Sequence, residues 1–241
     1  EDTRSLTKLA GLLGVKLKAK LYSLHEHNEL ERADQIVAIA LESDVLLVSD
    51  AGMPTVSDPG FALVRAAVAA GVEVTVVPGP SAVLAALAVS GLATDRFTFE
   101  GFAPRKDAER KSVFEALAGE TRTMVFFESP HRIADTLAAA AQVFGADRQA
   151  TVSRELTKKF EHTERGTLAA LIEWAKTDPK GEMVFVIAGA VKTNKDVSAL
   201  VADVLKLEAS GLRMKDAVAE IAELNAVSKS VLYQLSLDAK K

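Results

Sequence analysis

The sequence predicts an α/β protein: two α/β domains, then a small helical tail. Three observations predict it. Short apolar runs such as VLLV at 45–48 and TMVFFE at 123–128 alternate with helix-period stretches across the first 190 residues, the pattern of a sheet covered by helices. Loops of Gly, Pro and Asp follow two of these runs, SDAGMPTVSDPG at 49–60 and VPGPSA at 77–82, and open α/β sheets hold ligands outside the carboxyl ends of their strands. Beyond VKTNKD at 191–196, which reads as a polar linker, every pattern is helical.

The chain opens on EDTRSLTKLAGLLG, a helix with small polar residues at its start and Gly14 at its stop. KLYSL at 20–24 reads as a strand. Asn28 caps the next helix, where Ile36, Val37, Ala40 and Leu41 share one stripe. Strand 45–48, helix 61–70, strand 72–77 and helix 81–90 complete a first domain, residues 1–94, expected to hold a largely parallel sheet with helices on both faces. GLATDRF at 91–97 crosses to the second domain, residues 95–190. There strand 97–101 precedes a helix opened by APRKDAERK, and strand 123–128 precedes helix 131–144. The runs at 149–156 and 158–165 stand too close for a crossover, so an antiparallel hairpin is expected. Helix 168–176 and strand EMVFVIAG at 182–189 close this mixed unit. The tail, 197–241, reads as helices 197–209, 213–224 and 228–237, with Ser228 capping the last. Their spacing suits a helix-turn-helix-like unit; a helical cap or an oligomer contact is the other account.

Of the 241 residues 49% are apolar and 26% charged, enough for a well-packed core. The absence of cysteine excludes disulfides, thiolate metal sites and cysteine nucleophiles. Four scattered histidines suggest no metal site, and His25 with His27 reads as a surface pair. The longest apolar stretch, AVLAALAV at 82–89, is too short to span a bilayer. No signal peptide precedes the first helix, so a cytoplasmic protein without membrane contact is expected. A net charge of −4 argues against coating nucleic acid non-specifically. Residues 191–241 carry 8 basic and 7 acidic side chains, leaving the body at −5, and this still permits a nucleic-acid enzyme whose basic groups share one face.

Asp50 ends an apolar run, where its carboxylate can face a ligand crevice. Gly52 and Gly60 permit close backbone approach, and Pro54 and Pro59 stiffen the loop between them. Tight turns alone would also explain these residues. VPGPSA lacks the lysine of a phosphate loop, and the chain has no G-x-G-x-x-G, so ATP and NAD are demoted. FFESPHR at 126–132 sets Glu128 and Arg132 at the end of a strand, as base and anion contact or simply as helix-capping groups. RELTKKFE groups Arg154, Glu155, Lys158 and Lys159, which also suit an exposed hairpin.

Taken in order and at these spacings, EDTR, SDAGMPTVSDPG, VPGPSA, FFESPHR, RELTKKFE and GEMVFVI resemble the tetrapyrrole-methylase-type (class III) methyltransferases over nearly the whole chain. Within them the resemblance is to the branch that methylates the ribose 2′-hydroxyl of a cytidine in 16S rRNA. It implies a homodimer of two-domain protomers, with S-adenosylmethionine in the cleft between the halves. It also implies that Asp50, Gly52, Met53, Ser81, Ala82, Phe127 and Met183 border the cofactor. Glu128, Arg4 and Arg154 are the candidates for acceptor positioning and proton handling. RNA phosphates of the small ribosomal subunit fall to Arg105, Lys106, Arg110, Arg132 and Lys158, with Lys215 and Lys229 in the tail. The family begins with a further strand and a Pro-Ile-Gly-Asn-like loop ahead of EDTR; residue 1 is already that Glu, so these are expected outside the sequence given. Two other readings stay open: a corrin-type small-molecule methylase of the same fold, and a non-catalytic RNA-binding module. The basic stretches APRKDAERK and RELTKK favour RNA over a corrin ring.

Overall fold

A computed structural model of the chain describes residues 1–190, 197–225 and 227–240; the stretch expected as a linker lies outside them. The chain separates into two compact units, Glu1–Ala190 and Val191–Lys241.

The first unit begins with four helices: α1 (Thr3–Leu12), α2 (Glu29–Ala40), α3 (Phe61–Ala69) and α4 (Ala82–Ser90). Asp2 caps α1 and Ser81 caps α4 through their side chains. Asn28 stands at the N-cap of α2, but its side chain binds the preceding turn instead, accepting from the amide of His25. The α2 stripe meets α3 through Ile36, Val37, Leu63 and Ala67.

The strands expected at 20–24, 45–48 and 72–77 are not formed as a sheet. These segments have no sheet ladder, and among the described residues no backbone hydrogen bond joins one to another. Their apolar side chains stand open, with Leu46 78% and Val77 75% exposed. Branched residues favour an extended backbone, but a strand exists only where a neighbour's N–H and C=O answer it.

The sheet lies wholly in the second half: β1 (Phe97–Phe102), β2 (Thr123–Glu128), β3 (Gln149–Arg154), β4 (His162–Thr167) and β5 (Met183–Ile187). Its order is β1-β2-β5-β3-β4. Only β1 and β2 run parallel, and every other pair is antiparallel, a mixed sheet as expected for this half; the largely parallel sheet expected in residues 1–94 is not formed. The short β3–β4 connection forces the hairpin, and β5 enters antiparallel to both of its neighbours. On one face lie α5 (Asp107–Ala116), α6 (Ile133–Phe144) and α7 (Leu168–Ala175), whose Phe114, Leu137, Phe144 and Leu171 pack on Phe126 and Phe185. On the other face α4 covers Val125, Val184 and Val186. Strand alternation sends odd and even residues to these separate layers.

Where the sheet core ends, Glu120 accepts from the amide, Nε and Nη2 of Arg122 at 2.8, 2.9 and 2.7 Å. The side-chain hydrogen bond from Arg122 is the main reason its carboxyl falls from the ordinary 4.5 to about 2. A depressed carboxyl stabilises the fold above its unfolded value and loses that contribution as pH falls toward the folded one. The melting temperature is therefore expected to decline between pH 4.5 and about 2, and to decline less in Glu120→Gln, as acid melts followed by circular dichroism would record.

The described residues of the second unit form three helices, α8 (Val201–Ala209), α9 (Met214–Asn225) and α10 (Lys229–Asp238), around their own core of Val204, Ala217, Val218, Ala222 and Leu232. Ser228 caps α10.

Candidate active site

The EDTR start and the 49–60 loop are joined by hydrogen bonds. The Glu1 backbone nitrogen donates to the Val48 carbonyl at 3.0 Å, the Asp2 amide to Asp50 Oδ1 at 3.1 Å, and the Asp50 amide to Glu1 Oε2 at 3.2 Å. Arg4, 90% exposed at its side chain, forks onto Asp2 through Nε and Nη2. That side-chain bond leads the effects holding the Asp2 carboxyl down at about 2. Burial, then the charges of Glu1 and Asp50, push Asp58 up. The loop is also strained: Thr55 and Ser57 sit at φ 73° and 61°, a left-handed conformation that non-glycine residues adopt only when their surroundings impose it.

The two glycine-proline loops touch. A Cβ on Gly79 would lie 3.0 Å from Met53 Sδ, and one on Gly52, whose φ is +73°, would lie 3.8 Å from the Pro80 carbonyl oxygen. Ser81 Oγ accepts from the Leu84 amide to start α4. One turn on, Val83 packs with Val184, Phe127 and Leu156. The PGPSA turn, the end of β2, the start of β5 and the β3–β4 connection are thereby gathered on one face of the sheet. Phe127 meets Phe99 and Phe102 edge-on at 4.9 and 5.4 Å. A cleft of about 610 Å³ beneath α1 takes in Glu1, Asp2, Ser49 and Asp50, but no residue of the 77–82 loop.

The sheet divides residues that were expected side by side. Phe127 is paired across from Val184, on the α4 face; Glu128 is paired with Met183. Met183 belongs to the core of the opposite face and is 2% exposed. Its side chain therefore lies on the face opposite Phe127, as strand alternation requires, and not beside it as expected. Val184, Phe102 and Leu156 share the Phe127 face and were not among the residues expected there. The same alternation would have found the first two, and Leu156 was hidden among the charges of RELTKK.

Glu128 is enclosed, with a side chain 0% exposed. It accepts from the Ser129 amide at 2.8 Å, Thr136 Oγ1 at 2.6 Å and Arg132 Nη2 at 3.1 Å. Arg132 and Arg110, expected to meet RNA, also turn inward. Both donate to carbonyls just after β1, and the Arg110 side chain is 4% exposed. A guanidinium fork suits two carbonyls as well as it suits a phosphate, and a sequence does not say which.

The cations left at the surface share one edge of the sheet, where β1, β2 and β3 end and β5 begins. Arg105 and Lys106 follow β1, and Lys106 pairs with Glu109. After β3, Arg154 Nη1 donates to the Lys180 carbonyl at 3.3 Å. Lys158 bridges Glu182 and Glu155, whose hydrogen bonds raise its pKa. Lys159 lies 5.5 Å from the ring centre of exposed Phe160. In the tail Lys229 pairs with Glu223. The His25 and His27 rings meet edge-on at 6.1 Å, and no group of metal-ligating side chains occurs among the described residues.

The family description Tetrapyrrole (Corrin/Porphyrin) Methylases matches residues 3–172. A protein named Ribosomal RNA small subunit methyltransferase I from Mycobacterium tuberculosis (strain CDC 1551 / Oshkosh) is 44% identical over 243 residues, covering 100% of this chain and 85% of its own. One of the same name from Haemophilus influenzae is 43% identical, covering 98% and 85%. The crystal structure of the methyltransferase CobJ superposes with a TM-score of 0.55 at 20% identity, over 78% of this chain and 86% of that one. Diphthine synthase superposes with a TM-score of 0.55 at 18% identity, over 76% and 73%. At such identities these two structures speak for the fold alone.

Proposed function

The chain belongs to the tetrapyrrole (corrin/porphyrin) methylase family, and from that premise we propose that it methylates RNA of the small ribosomal subunit with S-adenosylmethionine as donor. The finer reading is transfer to the ribose 2′-hydroxyl of a cytidine in 16S rRNA. The observation that carries it is the closure of the SDAGMP and PGPSA loops on each other, beside the Phe127 face, in a chain so similar to small-subunit RNA methyltransferases.

The residues present fit such a donor. Asp50, Gly52, Met53, Ser81, Ala82 and Phe127 would hold it, largely through backbone groups, and a sulfonium ion needs no phosphate cradle. When bound, the cofactor supplies an electrophilic methyl group. The protein's part is then alignment, which contributes several kcal/mol, roughly, when reactants are held in register. Arg4 and Arg154 carry no proton acceptor at neutral pH, so their proposed part is to orient the acceptor nucleotide. Arg105, Lys106 and Lys158 would hold RNA phosphates at the sheet edge.

A homodimer fits the exposed Leu9, Leu12 and Leu13 along α1 and the turn after it. No described helix is long and apolar enough to cross a membrane, and we place the protein in the cytoplasm with its ribosomal substrate.

The test is transfer from methyl-labelled S-adenosylmethionine to small ribosomal subunits from cells lacking the activity, followed by alkaline hydrolysis of the RNA. A 2′-O-methyl group blocks cleavage at its linkage, so label in a single alkali-resistant dinucleotide is expected. Cofactor binding with no transfer to RNA would overturn the RNA assignment in favour of a small-molecule acceptor.

A further inference from the structure

We infer that Arg132 and Arg110 are positioning residues for the RNA acceptor, fixing the loop after β1 so that Arg105 reaches a phosphate; the inference rests on the RNA-methyltransferase reading above. The loop, residues 103–106, joins β1 to α5, with Ala103 in the core at its start and the Lys106 carbonyl accepting from the Arg110 amide at its end. Pro104 has no amide proton, and among the described residues no backbone N–H answers the carbonyls of Ala103, Pro104 or Arg105. Two guanidinium groups answer them instead. Arg132 Nη2 donates to the Ala103 carbonyl and, at 3.3 Å, to that of Pro104. From the other side Arg110 Nη1 donates to Pro104 at 3.3 Å and to Arg105 at 3.5 Å.

Each arginine is itself anchored. Glu128, enclosed and already bonded by Thr136 and the Ser129 amide, holds Arg132, and Asp107 holds Arg110. Buried ion pairs are weak devices for stability, since desolvation offsets most of the attraction. What the pair supplies is direction: Arg132 Nη2 and Arg110 Nη1, each carried on a planar group, form a fork that holds the loop carbonyls from two sides. Here that direction is given to a loop that buries Ala103 and turns Arg105 and Lys106 to solvent. Arg105 is exposed and has no ion pair among the described residues. It stands three residues beyond Phe102, whose ring meets Phe127 on the proposed cofactor face. A guanidinium in that place is set to take an RNA phosphate beside the reacting nucleotide, and the fork behind it removes the loop motion that would blur the contact.

The inference is tested with Arg132→Lys, Arg105→Ala and the double variant, assayed on small ribosomal subunits beside the wild type. Arg132→Lys keeps the charge facing Glu128 and loses the fork. It is expected to raise KM for the subunit about tenfold, with kcat and cofactor affinity within about twofold. In the Arg105→Ala background the same change should add less than about twofold, because both act through one contact. Arg110→Lys, acting on the loop from α5, should repeat this coupling if Arg132→Lys folds poorly. Additive effects on KM, or a loss confined to thermal stability or cofactor affinity, would overturn the positioning role while leaving the reaction assignment intact. Absence of transfer by the wild type would overturn the reaction assignment, and the positioning role with it.

Discussion

Gly79→Val is expected to lower kcat/KM for methyl transfer about 100-fold while leaving the melting temperature nearly unchanged. The first Cβ atom would already stand 3.0 Å from Met53 Sδ, closer than such atoms pack, and the two branches of valine would reach further into the same contact. Met53 must then give way to the added branches, and where this shifts the SDAGMP loop against the PGPSA turn by about an ångström it can cost a catalytic arrangement on the order of 100-fold. Both loops lie near the surface, and neither Gly79 nor Met53 is in the buried core, so little core packing is lost. Titration calorimetry with S-adenosylmethionine should show weaker binding in step with the slower transfer. Unchanged affinity and rate would mean that this contact does not support the cofactor.

Glu128→Ala should be the most destabilising single change near the site, by about 3–5 kcal/mol in urea denaturation, as when one partner of a buried ion pair is removed. It leaves the half-buried Arg132 fork without its carboxylate and the wholly buried Thr136 hydroxyl without its acceptor. Glu128→Gln keeps the volume and one acceptor oxygen, so its loss should be smaller, roughly 1–2 kcal/mol. The pair of variants separates two tasks for this carboxylate. An anchoring group loses stability in graded order, whereas a proton-handling group loses turnover in both variants with stability intact. The second outcome would return Glu128 to the catalytic residues and remove the support of the 103–106 loop.

Much of the fold is written in local pattern. The apolar run TMVFFE is β2 to the residue, Ser81 and Ser228 cap the helices that follow them, and the closeness of KKFEHTERG to ATVSREL made a hairpin unavoidable. The first-half strands failed for a reason outside any local window. VLLV and VEVTVV favour extension, but pairing depends on a partner that the run itself does not contain. The site was legible as loops and less so as side chains. Glycine and proline at 52, 54, 78, 79 and 80 announce rigid turns, and those turns do meet. Charge at Arg110, Arg132 and Glu128 announces chemistry without direction, and all three turn inward, where burial decides their partners. Met183 could have been judged from sequence, since its strand neighbour Val184 occupies the face that Phe127 shares.

The place of β5 has a consequence for how the chain is made. It is the last strand in sequence, yet it sits at the centre of the sheet, between β2 and β3, which do not pair with each other. As synthesis proceeds, β1–β2 and the β3–β4 hairpin can form early, but each keeps an open inner edge until Met183–Ile187 emerge. The nascent domain thus passes through a stage of two unjoined half-sheets with apolar flanks, the kind of species that invites wrong pairing or chaperone capture. A ribosome stalled before residue 183 carries a sheet in two pieces, and five more residues supply the strand that unites them.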